Sequence, residues 1–127
     1  GDSVEIGDMR VSFCGVTHPV CCNAIKVECA GKVFVYSGDS NWDDGLLQFA
    51  QRADLFLCDG AFYDVDWADT KPHMSARLAG KMAQQAGVKR LLITHIIPGT
   101  DEEKLLRQAK EEFSAAKIVA EGEEYAF

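Results

Sequence analysis

Five residues have the types and placement to bind a metal ion or move a proton. They are His18 in Thr17-His18-Pro19-Val20, Asp39 in Ser37-Gly38-Asp39-Ser40, Asp59 after the apolar run Leu55–Cys58, His73 in Pro72-His73-Met74-Ser75, and His95 in Thr94-His95-Ile96-Ile97. Each histidine, the whole histidine content of the chain, follows an expected strand or precedes an expected helix. On open α/β sheets, ligands and catalytic groups gather beyond strand ends, where loops leave room for a substrate. One carboxylate with two or three imidazoles is a donor set that Zn²⁺ accepts, and a carboxylate shared by two ions recurs in two-metal hydrolytic sites. Spacing alone leaves blander readings open. The histidines could be unrelated surface or core residues, Asp39 a turn residue or helix N-cap, and Asp59 a strand terminator.

Apolar alternation and short β-branched or aromatic runs predict strands over Arg10–Val16, Ala24–Cys29, Lys32–Tyr36, Leu55–Cys58 and Leu91–Thr94, with Ala30-Gly31 as a tight hairpin turn. Helical periodicity covers Asp44–Gln51 and then Leu78, Ala79, Met82, Ala83 and Ala86, with Gly87 as the stop. A last helix starts at Thr100, with Glu103 completing a capping box, and buries Leu105, Leu106, Ala109 and Phe113. A strand pair, Lys117–Ala120 and Glu123–Phe127, closes the sheet. The fold class is therefore α/β: a mixed β-sheet with antiparallel strands first and β-α-β units after. Leu55–Leu57 and Leu91–Ile93 are continuously apolar, as strands covered on both faces are, and the helices of one chain cover one face.

The 127 residues suffice for one ordinary core, so a single unit spanning 1–127 is expected. With 13 basic against 20 acidic residues the net charge is −7, and no basic cluster forms the footprint of a phosphate-backbone binder. No apolar run approaches bilayer length and no signal peptide is spelled, so a soluble, cytoplasmic protein is expected. Five cysteines, an odd number, fit reduced thiols better than a disulfide framework. Cys14, His18, Cys21 and Cys22 form a competing zinc set, which adjacency of Cys21 and Cys22 disfavours, since neighbours on a strand face opposite ways. No phosphate-binding glycine loop follows any strand, which argues against a nucleotide-binding domain. Phe62 is expected in the core, and Trp42 and Trp67, in polar stretches, at a rim or partner contact.

Four ordered motifs carry a resemblance: His18-Pro19-Val20 with Cys22-Asn23-Ala24-Ile25; Val35-Tyr36-Ser37-Gly38-Asp39-Ser40; Ala53–Tyr63 with His73-Met74-Ser75; and Leu92-Ile93-Thr94-His95. In these the chain resembles the C-terminal half of a metallo-β-lactamase-fold hydrolase of the ribonuclease Z-like branch. The resemblance implies half of an αβ/βα four-layer sandwich. It implies that His18 binds a first metal ion, Asp39 bridges, and His95 binds a second. His73, oriented by Asp59, would help protonate a leaving group. The implied cofactor is zinc, two ions in the complete protein, with Mn or Fe as alternatives. Hydroxide generated there would attack a phosphodiester, ester or related bond in a small-molecule or nucleotide-type substrate.

Three departures shape the expectation. The N-terminal half with its His-x-His-x-Asp-His loop is absent from these residues, so the site is a half-site. The acid at 59 is Asp where the branch carries Glu, one methylene shorter, which would loosen its hold on His73. Between the His18 and Asp39 motifs stands a plain hairpin instead of the tRNA-gripping insertion, which argues against direct tRNA binding. The expected partner is an N-terminal half of the same fold or a second copy of this chain, with the isolated lobe a dimer and catalytically silent. A non-catalytic, self-associating or partner-binding module that keeps the fold is the alternative.

Overall fold

The computed structural model describes residues 2–127. Seven strands, β1 (Ser3–Ile6), β2 (Met9–Gly15), β3 (Asn23–Cys29), β4 (Lys32–Tyr36), β5 (Leu55–Asp59), β6 (Leu91–Thr94) and β7 (Lys117–Ile118), form one sheet in sequence order. The pairs from β1 to β4 are antiparallel and those from β4 to β7 parallel. The parallel connections carry α1 (Asp44–Phe49), α2 (Ala76–Ala86) and α3 (Glu102–Lys110). This is the mixed α/β sheet expected from the apolar pattern.

The hairpin at Ala30-Gly31 has φ of 50° and 75°, as a two-residue turn of matching twist requires. Strand β1 was not read from the sequence. Its signal was Val4 and Ile6 in alternation before Gly7-Asp8, where Gly7 supplies φ of 61°. Helix α2 begins where the Ser75 hydroxyl accepts the Leu78 N–H and ends at Gly87 in the left-handed region. Helix α3 is capped by Asp101, which accepts the Lys104 N–H, and not by Thr100. The Thr100 N–H already donates to the Ile97 carbonyl, so no capping box can form there. The closing strand pair is corrected too: only Lys117–Ile118 pairs with β6, and Glu123–Phe127 is not a strand. A turn at Gly122 instead lays the tail across the sheet, with the Phe127 and Phe34 rings 6.2 Å apart.

All three helices cover one face of the sheet. Val35, Phe56, Cys58, Leu91 and Ile93 meet Leu46, Met82, Ala83, Leu105 and Ala109 in one buried cluster. Helices α2 and α3 approach closely because Gly80 has no Cβ, which would stand 2.5 Å from the Ala109 carbonyl oxygen. Among the described residues no helix covers the opposite face. There Tyr125 and Phe127 shelter Leu55, Leu57 and Leu92 in a shallow apolar basin of about 380 Å³, whereas Val4, Ile6, Met9 and Phe13 remain 36–54% exposed.

Asp54 anchors the start of β5. One oxygen accepts the Val33 N–H and the other the Lys89 ammonium, each at 2.8 Å. The lysine bond first, then the backbone bond, holds its carboxyl below the usual range. A carboxyl depressed in the folded state stabilises above its unfolded pKa and loses that contribution as pH falls through its folded value. Acid titration of stability should therefore show a shallower loss in Asp54→Asn than in the parent chain. Equal losses between pH 6 and pH 3 would remove Asp54 from the acid response.

Candidate metal centre

The five residues named from sequence all lie beyond or at strand ends on one edge of the sheet. His18 follows β2, Asp39 follows β4, Asp59 is the last residue of β5, and His95 follows β6. His73 stands in the loop before α2. Gly38, at φ of 63°, lets the chain turn tightly after β4; a Cβ there would lie 2.7 Å from the Asn23 carbonyl oxygen.

Asp39, His73 and His95 converge, one ligand atom from each lying within 4.8 Å of the others. His95 Nε2 is 3.8 Å from Asp39 Oδ1, and the His73 and His95 rings stand 4.0 Å apart. His95 holds φ of 66°, a left-handed conformation that costs a non-glycine residue about 1–2 kcal/mol and concentrates at functional sites. His18 lies outside the trio. Its Nδ1 accepts the Val20 N–H at 3.3 Å, and its ring is 5.6 Å from that of His73.

Asp59 is fully buried, and its Oδ2 lies 2.5 Å from His73 Nδ1. Ser40 donates its N–H to Oδ2 at 3.0 Å and Ala61 its N–H to Oδ1 at 3.3 Å. The shorter acid therefore reaches the imidazole. Burial pushes the Asp59 carboxyl up to about 7, against the Ser40 N–H, the His95 charge and the Ala61 N–H, which favour the carboxylate. Burial likewise lowers His73. Each shift has the same cause: burial makes a separate charge costly on either member of the pair.

Imidazole nitrogen and carboxylate oxygen suit a borderline divalent ion such as Zn²⁺, and three donors, with Asp39 half-buried and His95 exposed, would leave a position open to a further ligand. The trio fits part of one ion's shell; a pair of ions needs further donors. Among the described residues no cysteine joins a group of three close ligands, so the Cys14, His18, Cys21 and Cys22 set does not assemble. Phe62, expected in the core, is instead half-buried with its ring 6.0 Å from His73, because a bridge to Ser75 holds it at the site. Sequence reading also passed over Asn41, which is 2% exposed and bonded to the loop ahead of His73; its only local signal was its position two residues after Asp39.

The mixed sheet carries its helices on one face and a histidine–carboxylate cluster at its strand ends, in keeping with a metallo-β-lactamase-type fold. The Beta-lactamase superfamily domain matches residues 3–96, and the chain belongs to this superfamily of metal-dependent hydrolases, in its metallo-β-lactamase fold. The probable metallo-hydrolase YhfI of Bacillus subtilis is 30% identical over 114 residues, covering 90% of this chain and 47% of that protein. Ribonuclease Z of Methanosarcina acetivorans is 37% identical over 95 residues, covering 72% and 31%. The crystal structure of YhfI superposes with a TM-score of 0.86 at 31% identity, over 94% of this chain and 50% of that one. The chain thus spans about half the length of the curated relatives it matches.

Proposed function

We propose that the chain is the C-terminal lobe of a zinc-dependent hydrolase of the cytoplasm, with Mn or Fe as other ions the donors suit. The convergence of Asp39, His73 and His95 at the strand ends of this fold carries the reading. His18 would hold a first ion and His95 a second, Asp39 would serve both, and an N-terminal half would supply the remaining ligands. Bound metal would supply Lewis acidity to a phosphodiester, ester or related bond in a small-molecule or nucleotide-type substrate, and acidify water there. The chain's own acid is the Asp59–His73 pair: Asp59 fixes the ring at Nδ1 and leaves Nε2 to deliver a proton to the leaving group.

His73 lies inside the trio and His18 outside it, which favours a second reading in which His73 ligates metal with Asp59 as its outer partner. Metal content separates the two in the lobe reconstituted with a matching N-terminal half. His18→Ala lowers bound zinc under the first reading and His73→Ala under the second. Fewer than one zinc per reconstituted pair would sink the two-ion centre, and hydrolysis unchanged by His95→Ala would favour a non-catalytic module.

The face without helices supports the partner. By register, Val4, Val11, Val27, Phe34 and Leu55 share it, and an apolar sheet surface of this kind ordinarily packs on another layer. The partner is an N-terminal half of the same fold or, for the isolated lobe, a second copy. Light scattering of the lobe should report a dimer, and Ile6→Glu with Phe13→Glu should shift it to monomer. A parent lobe that stays monomeric at high concentration contradicts this.

A further inference from the structure

The turn after Asp39 does more than present a carboxylate. The Asn41 backbone N–H donates to the Thr17 carbonyl, next to His18, at 3.0 Å. Ser40, one residue earlier, donates its N–H to Asp59 Oδ2 and accepts the Met74 N–H at 3.0 Å, next to His73. The side chain of Asn41 completes the set. The two hydrogens of its Nδ2 serve the carbonyls of Ala68, Asp69 and Lys71, at 3.1, 3.3 and 2.7 Å, one hydrogen being shared between two of them. Its Oδ1 accepts the Trp42 N–H at 2.7 Å and the Trp67 indole N–H at 2.9 Å. One buried amide thus closes the loop Trp67–Lys71, which has no regular structure and leads into His73.

A surface loop with free carbonyls ordinarily drifts, and a side chain two residues beyond it drifts with it. Asn fits where Asp would not, because three carbonyls demand a donor while two N–H groups demand an acceptor, and only an amide offers both on one planar group. From this juxtaposition we infer that Asn41 is a positioning residue for His73: it sets the loop so that Nδ1 meets Asp59 while the ring stays against His95. The inference rests on the proposed role of His73 for its functional meaning, but its geometry can be read without metal or substrate.

The test uses the full chain, metal-free, by NMR. Asn41→Asp keeps size and Oδ1 while turning the donor into an acceptor facing three carbonyls. It should speed amide exchange at Trp67, Lys71 and Met74 at least tenfold and shift the His73 ring nitrogen resonances, with amide exchange in β1 and β2 unchanged. Trp67→Phe, which removes a bond to Oδ1 and none from Nδ2, should leave the His73 ring resonances in place. In the parent chain the Asn41 carboxamide protons should exchange slowly. That last measurement keeps the inference exposed if Asn41→Asp fails to fold: carboxamide protons exchanging at the rate of a free amide overturn it. His73 resonances and loop exchange identical in Asn41→Asp and parent overturn it equally, whatever reaction the protein performs.

Discussion

Under the proposed metal role, Asp39→Ala should reduce the zinc affinity of the lobe reconstituted with an N-terminal half by more than the roughly 10–100-fold that loss of an outer partner produces, with any turnover falling in step. Asp39 lies 3.8 Å from His95 Nε2 and its side chain is 39% exposed, so its removal leaves the core intact. Surface changes of this kind usually stay within about 0.5 kcal/mol. The expected signature is therefore lost metal, with a nearly unchanged melting temperature when parent and variant are compared metal-free, since bound metal itself stabilises the folded state. Metal analysis, calorimetric zinc titration and thermal melting of the same preparation check it. Zinc binding within a few-fold of the parent would remove Asp39 from the centre and with it the bridging role.

The largest stability effect is expected at Phe56. Its side chain, the second of the five in β5, is fully buried among residues from the sheet and the helices that cover it. Truncation to Ala removes the transfer energy of the ring and leaves a cavity that a sheet–helix core fills poorly, at about 3–5 kcal/mol. Against the roughly 5–15 kcal/mol that holds an ordinary domain together, that is a large share. Urea denaturation should show a lower midpoint with little change in slope. A loss below about 1 kcal/mol would mean that α1 and α2 collapse onto the vacancy.

The two changes separate the layers of the molecule. The centre is assembled from side chains on turns, Asp39 and His95 partly exposed and His73 largely buried, and the sheet that aims those turns is secured elsewhere, by apolar burial. Asn41 joins the layers, since its backbone touches the His18 segment and its side chain the loop ahead of His73.

Strands β2 to β6 and all three helices were legible in the chain because each satisfies its pattern locally: alternation or apolar runs for strands, a helical period with Gly87 after α2. What failed was decided by competition between local rules. At Thr100 the capping-box spelling lost to a turn bond from the same N–H. At Glu123–Phe127 the tail rests Tyr125 and Phe127 against the open face instead of pairing as a strand. The short β1 passed below notice because a four-residue strand carries two apolar positions, and its pairing partner supplies the rest.

The sequence by itself determined which residue types stand at the strand ends, and their order was enough to carry the resemblance to a metal-dependent hydrolase lobe. Distance was a different matter. Residues 39, 73 and 95 converge because β4, β5 and β6 lie side by side and the loop before α2 folds back over their ends. That His73 joins Asp39 and His95 while His18 stays outside, and that Asn41 holds the loop, followed only from tertiary contacts. Side-chain chemistry is written residue by residue, whereas the separation of groups far apart in the chain is set by the packing of everything between them.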